Sequence, residues 1–365
     1  MTVRDVAEAI EGFAPIGYKE DYDNVGLQVG SPSTPVNGIL LALDVTPEVI
    51  DDALANDANL IVAHHPVIFK GLKSLTGSNY TEKTIIKAIK HGISIYCAHT
   101  NIDSVWNGVS MSMAKKMGLK NIRVLKPADE QLVKLVTFVP HENANEVRQS
   151  MFSAGAGNIG EYDQCSYNIQ GTGTFRASEG TNPHVGTIGK QHQEQETRVE
   201  VIVPKPILAK VIVAMNNAHP YEEVAHDIIP LLNSNPKAGL GLIGDMPRTI
   251  KELDFLKRVK NSFNLKCIRH SPLTENSVKR VALCGGSGAN LISKAISLGA
   301  NAFITADIKY HQFFDANNMI IIADIGHYES EHYTIDIFYE LLTKKFPNFA
   351  VLKTNVETNP VNYLL

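Results

Sequence analysis

Short apolar runs alternate with amphipathic stretches along this chain, and turn residues separate them. The run Asn37-Gly-Ile-Leu-Leu-Ala-Leu-Asp44 reads as a buried strand. Thr46-Pro47 then opens a helix to about Asn56, with Thr46 as N-cap and Pro47 in the first turn. Residues 59–63 form the next apolar run. Residues 81–91 carry helical periodicity and end at Gly92, and residues 93–98 return to an apolar run. Strand and helix alternating in this way predict a layered α/β domain with a largely parallel sheet.

The plan recurs in the C-terminal third. Residues 280–284 read as a strand, 289–298 as a helix and 301–305 as a strand. Residues 39–65 align with 281–307 without a gap, and strand, helix and strand stay in phase. Identical pairs include Leu41 with Leu283 and Ile50 with Ile292. Residues 319–324 match the strand that ends at Ala98, at a slightly different shift. The pattern predicts an internal duplication, although any two βαβ units share some of it. Residues 129–237 differ in character, with more Gly, Gln and Asn. Short alternating strands at 132–139 and 198–203 accompany helices at 143–154 and 205–216, while 171–196 reads as a hairpin or mobile loop. The element order predicts an inserted ferredoxin-like α+β module. The expected domains are therefore 1–128 and 239–365, two duplicated α/β halves of one core, with 129–238 inserted between them.

Composition narrows the class. The chain has 365 residues, 44% of them hydrophobic, and a net charge of −4. This balance argues against a dedicated nucleic-acid binder. No stretch approaches a membrane span, and charges interrupt the apolar positions of the N-terminal amphipathic helix, unlike a secretory signal. Four cysteines without CxxC spacing read as reduced thiols of a cytoplasmic protein. Metal ligation, if present, falls to His and carboxylates.

Candidate chemistry gathers where strands end. His64 and His65 close the run that starts at Asn59. His99-Thr-Asn-Ile-Asp103 follows the strand ending at Ala98. His327-Tyr-Glu-Ser-Glu331 follows the strand ending at Ala323, with His327 and Glu331 four apart on one helix face. Ligands in open α/β sheets collect beyond the carboxyl ends of strands. His64, His65, Asp103, His327 and Glu331 make an imidazole–carboxylate set without thiolate. It suits two divalent ions sharing a carboxylate, with Zn the first choice and Mn or Fe the alternatives. The competing readings are a surface pair for His327 and Glu331 and a turn residue for Asp103.

The segments Asp23-Asn-Val-Gly-Leu-Gln28, Ala63-His-His-Pro66, Ala98-His-Thr-Asn-Ile-Asp103, Thr305-Ala-Asp-Ile-Lys-Tyr-His311 and Gly326-His-Tyr-Glu-Ser-Glu331 together resemble the Nif-three-like family, whose bacterial members are called GTP cyclohydrolase I type 2 homologues. The resemblance covers residues 1–128 and 239–365. It implies a dinuclear centre on the same five ligands and a toroidal homohexamer with its metal sites facing an internal cavity. Tyr22 and Ala306 depart from the common Trp and Gly. The insertion is similar to the trimeric CutA and PII proteins at His219-Pro-Tyr-Glu-Glu223, a segment that either packs a strand edge or interface or binds a ligand.

Three further residues are proton-transfer candidates. Asp307 and His311 lie four apart beside the pseudo-symmetric counterpart of the metal site, and His99 adjoins the ligands. The alternatives are helix capping by Asp307 and a surface position for His311. Cys284-Gly-Gly-Ser-Gly288 would either cradle a phosphate on its N–H groups or simply turn tightly. The expected function is a metal-dependent hydrolase on a small, nucleotide-like substrate, with GTP cyclohydrolase as its concrete form. A non-enzymatic metal-binding or regulatory hexamer, sensing a ligand through the insertion, is the alternative.

Overall fold

A computed structural model describes residues 1–364. The chain forms two compact units: Met1–Pro127 together with the chain from Ala238 onward, and Ala128–Lys237.

The first unit holds two sheets. One runs Gly26–Val29, Ser94–Cys97, Leu60–Ala63, Ile39–Ala42 and Val351–Lys353. Its last four strands are parallel, and Gly26–Val29 is antiparallel to its neighbour. Every residue of the three central strands is buried, which explains why their runs are apolar without alternation. Leu40, Ile61 and Ile95 face one side with Val49, Ile50 and Ile85. Leu41, Leu60, Val62 and Tyr96 face the other, against Val6 and Ile10 of the N-terminal helix and Phe338 and Leu342 of the helix Thr334–Lys345.

The second sheet runs Arg269–His270, Ile321–Asp324, Ala302–Ala306, Ser277–Ser287, Asn235–Lys251 and Lys120–Ala128. Its parallel core is Ser277–Ser287, Ala302–Ala306 and Ile321–Asp324. The duplicated segments adopt matching structures in phase. Ile39–Ala42, Pro47–Ala55 and Leu60–Ala63 correspond to Ser277–Ser287, a helical stretch and Ala302–Ala306. The helices differ in detail. Thr46 caps the first by accepting from the Val49 N–H, whereas Gly288 offers no side chain. The second copy therefore begins as the 3₁₀ turn Ala289–Leu291 before the shorter helix Ile292–Ser297.

The second unit follows the order strand, helix, strand, strand, helix, strand. Its antiparallel sheet runs His226–Leu231, Leu132–Pro140, Gln191–Pro204 and Tyr167–Arg176. This is the ferredoxin-like arrangement. Val133, Leu135, Val139, Val199, Val201 and Val203 pack one sheet face against Val147 and Met151 of the helix Ala144–Ser153 and Val211 and Met215 of Leu208–Ala218. The segment 171–196 belongs to a long hairpin whose register runs from Tyr167 opposite Glu200 to Arg176 opposite Gln191. Among the described residues no helix is long and apolar enough to cross a membrane.

Leu41 is fully buried in a central parallel strand, so Leu41→Ala is expected to cost about 2–5 kcal/mol. Denaturant unfolding of the two proteins checks this. A cost well below that range would show that the sheet interior is not close-packed there.

Candidate metal centre

Three chain segments deliver the candidate ligands, each just past a buried strand. His64 and His65 follow Leu60–Ala63, and Asp103 closes the single turn Thr100–Asp103 that follows Ser94–Cys97. His327 and Glu331 bound the short helix His327–Glu331 that follows Ile321–Asp324. The two halves of the duplication thus bring their strand ends to one place.

Glu331 is the centre of the cluster. Its Oε2 lies 2.9 Å from His65 Nε2, 2.9 Å from His327 Nε2 and 3.7 Å from His64 Nε2. His65 Nε2 and His327 Nε2 stand 3.2 Å apart. Asp103 Oδ1 lies 3.8 Å from His64 Nε2, too far for a hydrogen bond. His64, Glu331 and Asp103 are buried deeply enough that His64 Nε2 and Asp103 Oδ1 see no solvent, yet neither has a partner. A buried, unsatisfied polar atom costs about 1–3 kcal/mol. Two such atoms aimed at one another across a gap fit a cation held between them. Three donor groups meet within 4.8 Å: His65 with His327 and Glu331, His64 with Asp103 and Glu331, and His64 with His65 and His99. Imidazole and carboxylate donors without thiolate suit a divalent ion such as Zn, Mn or Fe.

Each imidazole is anchored through its other nitrogen. His64 Nδ1 bonds the Ala98 carbonyl at 3.0 Å, and His65 Nδ1 bonds Asp44 at 2.7 Å. His327 Nδ1 bonds Asp307 at 2.7 Å, and His99 Nδ1 bonds Asp23 at 2.8 Å. Such bonds fix the ring orientation and leave each Nε2 as the ring's remaining donor nitrogen. Asp307 has a left-handed backbone, φ 56°. This conformation is uncommon outside glycine, and it aims the carboxylate at His327.

Titration follows from this crowding. Burial acts to lower the pKa of His65, but hydrogen bonds to Asp44 and Glu331 outweigh it and hold the ring up to about 9. Burial is likewise outweighed at His327, where Asp307 and Glu331 raise it to about 11. Burial and the nearby Glu331 charge push Asp103 to about 8. Burial alone would raise Glu331, yet the surrounding histidines hold it well below the usual carboxylate range. Without metal, protons on the imidazoles neutralise the buried carboxylate.

The glycine-rich segment has a steric role. Gly285 and Gly286 give their N–H groups to Ser110 and Ser330, so they offer no phosphate cradle. A Cβ on Gly286, which has φ 60°, would collide with the Glu331 carboxylate. The glycines therefore let the backbone pass against the central ligand.

All five expected ligands meet here. His99 lines the adjoining cavity, about 560 Å³, together with His65, His327, Asp307, Phe69 and Arg269. Asp307 is present as a hydrogen-bond partner of His327 and not as a helix cap. His311 is not brought to the cluster. It is exposed in the 3₁₀ turn Tyr310–Ala316, against Tyr310 and Phe314. Its spacing from Asp307 implies a shared face only on an α-helix, and the chain there is not α-helical. Asp44 and Asp23 were not singled out from sequence. Asp44 does end an apolar strand run, as His64 and His65 do, and Asp23 opens one of the quoted segments. His219 bonds the Phe138 carbonyl through Nε2 and accepts from the Tyr221 N–H through Nδ1. Both of its ring nitrogens are thus engaged.

Two duplicated α/β halves sharing a buried imidazole–carboxylate cluster define the class: a candidate metal-binding protein built across two sheets. The chain belongs to the Duf34/NIF3 (NGG1p interacting factor 3) family, whose model matches residues 1–360. It is 38% identical over 98% of both chains to a Halalkalibacterium halodurans protein named GTP cyclohydrolase 1 type 2 homolog. A Bacillus subtilis protein of the same name is 33% identical, over 99% of this chain and 98% of that one. A Bacillus cereus protein described as related to NIF3 has a solved structure with a TM-score of 0.87 and 37% identity, covering 100% of this chain and 99% of that one.

Two outcomes follow from this geometry. Gly286→Ala is expected to lower metal affinity by about 10–100-fold, as loss of a ligand's support typically does; competition with a chromogenic chelator measures it, and unchanged affinity would contradict the steric role. The second concerns pH. His65 titrates near 9 when folded, against an ordinary 6.5. Its stabilisation is complete below 6.5 and disappears as pH rises through 9, and His327 and Asp103, also raised, act in the same direction. Chelator-treated protein should therefore lose thermal stability steadily from pH 6.5 to 9. A flat or rising melting temperature over that window would refute the assignment.

Proposed function

We propose that this protein is a dinuclear metal-dependent hydrolase acting on a nucleotide-like substrate, with purine ring opening as its concrete form. One observation carries the reading: Glu331 belongs to two donor groups at once, one with His65 and His327 and one with His64 and Asp103. A carboxylate so placed would bridge two ions. His64 and Asp103 would then serve one ion, His65 and His327 the other. Divalent ions held by these residues would supply an acidified water and polarise a substrate atom.

The chain's own groups supply the rest. Asp44 and Asp307, both held below the usual carboxylate range by their histidine partners, stay ionised and keep His65 and His327 oriented. Each therefore positions a ligand and donates no proton near neutrality. His99 is the remaining proton-transfer group. Asp23 fixes its Nδ1, and its ring faces the cavity, so Nε2 is available to a substrate atom. Phe69, Tyr328 and Tyr363 line the same cavity and offer apolar faces to a planar ring. Arg269 offers a cation for an anionic group, while its Nη1 holds Asp324 at 3.0 Å.

Turnover tests the reading. Zn- or Mn-loaded protein is expected to open the imidazole ring of GTP with release of formate. His65→Ala should abolish this, and His99→Ala should cut kcat by about 10²–10⁴-fold while metal content is retained. If GTP, other nucleotides and phosphoesters all survive prolonged incubation with loaded protein, the enzyme reading fails and a metal-binding regulatory role takes its place.

A further inference from the structure

The inserted unit holds a second cavity, about 580 Å³, within the range of small-ligand sites. It lies on the sheet face opposite the two helices. Phe138 and Arg198 are register partners there, and Glu196 stands opposite Gly171. Gly171 and Gly173 occupy the positions of the strand Tyr167–Arg176 that point to this face. Space is open around Gly171, and a Cβ on Gly173 would strike the Glu196 carboxylate. Glycine inside a strand weakens it and marks a place where something must approach closely. Here the missing side chains create the floor of the cavity.

A roof covers that floor. Thr181 and His184, from the connection between the hairpin strands, line one side, and Tyr221 and Glu222 line the other. The Asn182 N–H donates to Glu222 Oε1 at 3.0 Å and ties the two segments together. Phe175 and Tyr221 meet at 6.1 Å and 57°, forming an aromatic corner.

The lining carries three carboxylates, Glu196, Glu222 and Glu223, against one guanidinium, Arg198, and the imidazole of His184. Glu196 is only 9% exposed. Its hydrogen-bond partner is the Tyr221 hydroxyl, which donates to Oε1 at 2.9 Å. Among the described residues no basic side chain pairs with it, since Arg198 pairs with Glu200 at 2.9 Å. A buried carboxylate without an ion-pair partner is costly, and a cation of the right size would relieve that cost. Aromatic faces beside it attract the same kind of charge.

We infer that this cavity binds a small organic cation with an apolar or aromatic body, its charge held by Glu196 between the faces of Phe175 and Tyr221. The site is separate from the metal cluster and independent of the proposed hydrolase activity. Its test uses the full-length, metal-loaded protein with benzyltrimethylammonium as probe and phenylacetate as the anion of similar size. Isothermal titration should show saturable binding of the cation and none of the anion. Glu196→Gln should weaken the cation at least about tenfold. Gly171→Val, which places a β-favouring side chain in open space, should abolish binding while melting temperature and metal content hold. Failure of the cation to bind, equal binding of phenylacetate, or unchanged affinity in Glu196→Gln would each overturn the proposal. A second copy of this chain seated on the face would appear as the first of these.

Discussion

Everything at the candidate centre depends on one buried carboxylate. Glu331 is 2% exposed and has three histidines around a single oxygen. An isolated charge in that position would be untenable. It is tolerated because the imidazoles can carry either protons or a metal's charge toward it. The remainder of the site serves that arrangement. Gly286 leaves the space, Ser330 ties the glycine backbone, and Asp44 and Asp307 hold the rings that face the carboxylate.

The duplication explains how such a site can be built from short segments. Each half ends its parallel strands at the same edge, and a strand end is where the backbone stops satisfying itself and side chains converge. Corresponding positions have diverged in role. Under the alignment that pairs residues 39–65 with 281–307, His65 matches Asp307. One faces the other donors, and the other orients His327 from behind. A pseudo-symmetric scaffold thus carries an asymmetric centre, with direct donors and their supports drawn from both halves.

The parts legible in the sequence were those set by local pattern. Fully apolar strand runs report sheets covered on both faces, and adjacent histidines at a strand end are hard to explain by packing. The supports were less legible because they are long-range. Asp23 reaches His99 across the fold, and a lone carboxylate in a loop looks like any turn residue. The sequence leaves the glycine segment open between a phosphate cradle and a tight turn, because the serines that take the Gly285 and Gly286 N–H groups lie far away in sequence. Asp307 and His311 stand four apart, a spacing that would bring both to the site only on an α-helix. The left-handed Asp307 and the 3₁₀ turn after it break that periodicity.

The central claim is that His64 and His65, neighbours in sequence, serve different ions joined by Glu331. Anomalous diffraction from metal-loaded crystals, collected on both sides of the zinc edge, tests it most directly. The account predicts two resolved peaks, with His64 and Asp103 at one, His65 and His327 at the other, and Glu331 touching both. A single peak bound by both imidazoles, or peaks bound by neither, would contradict it.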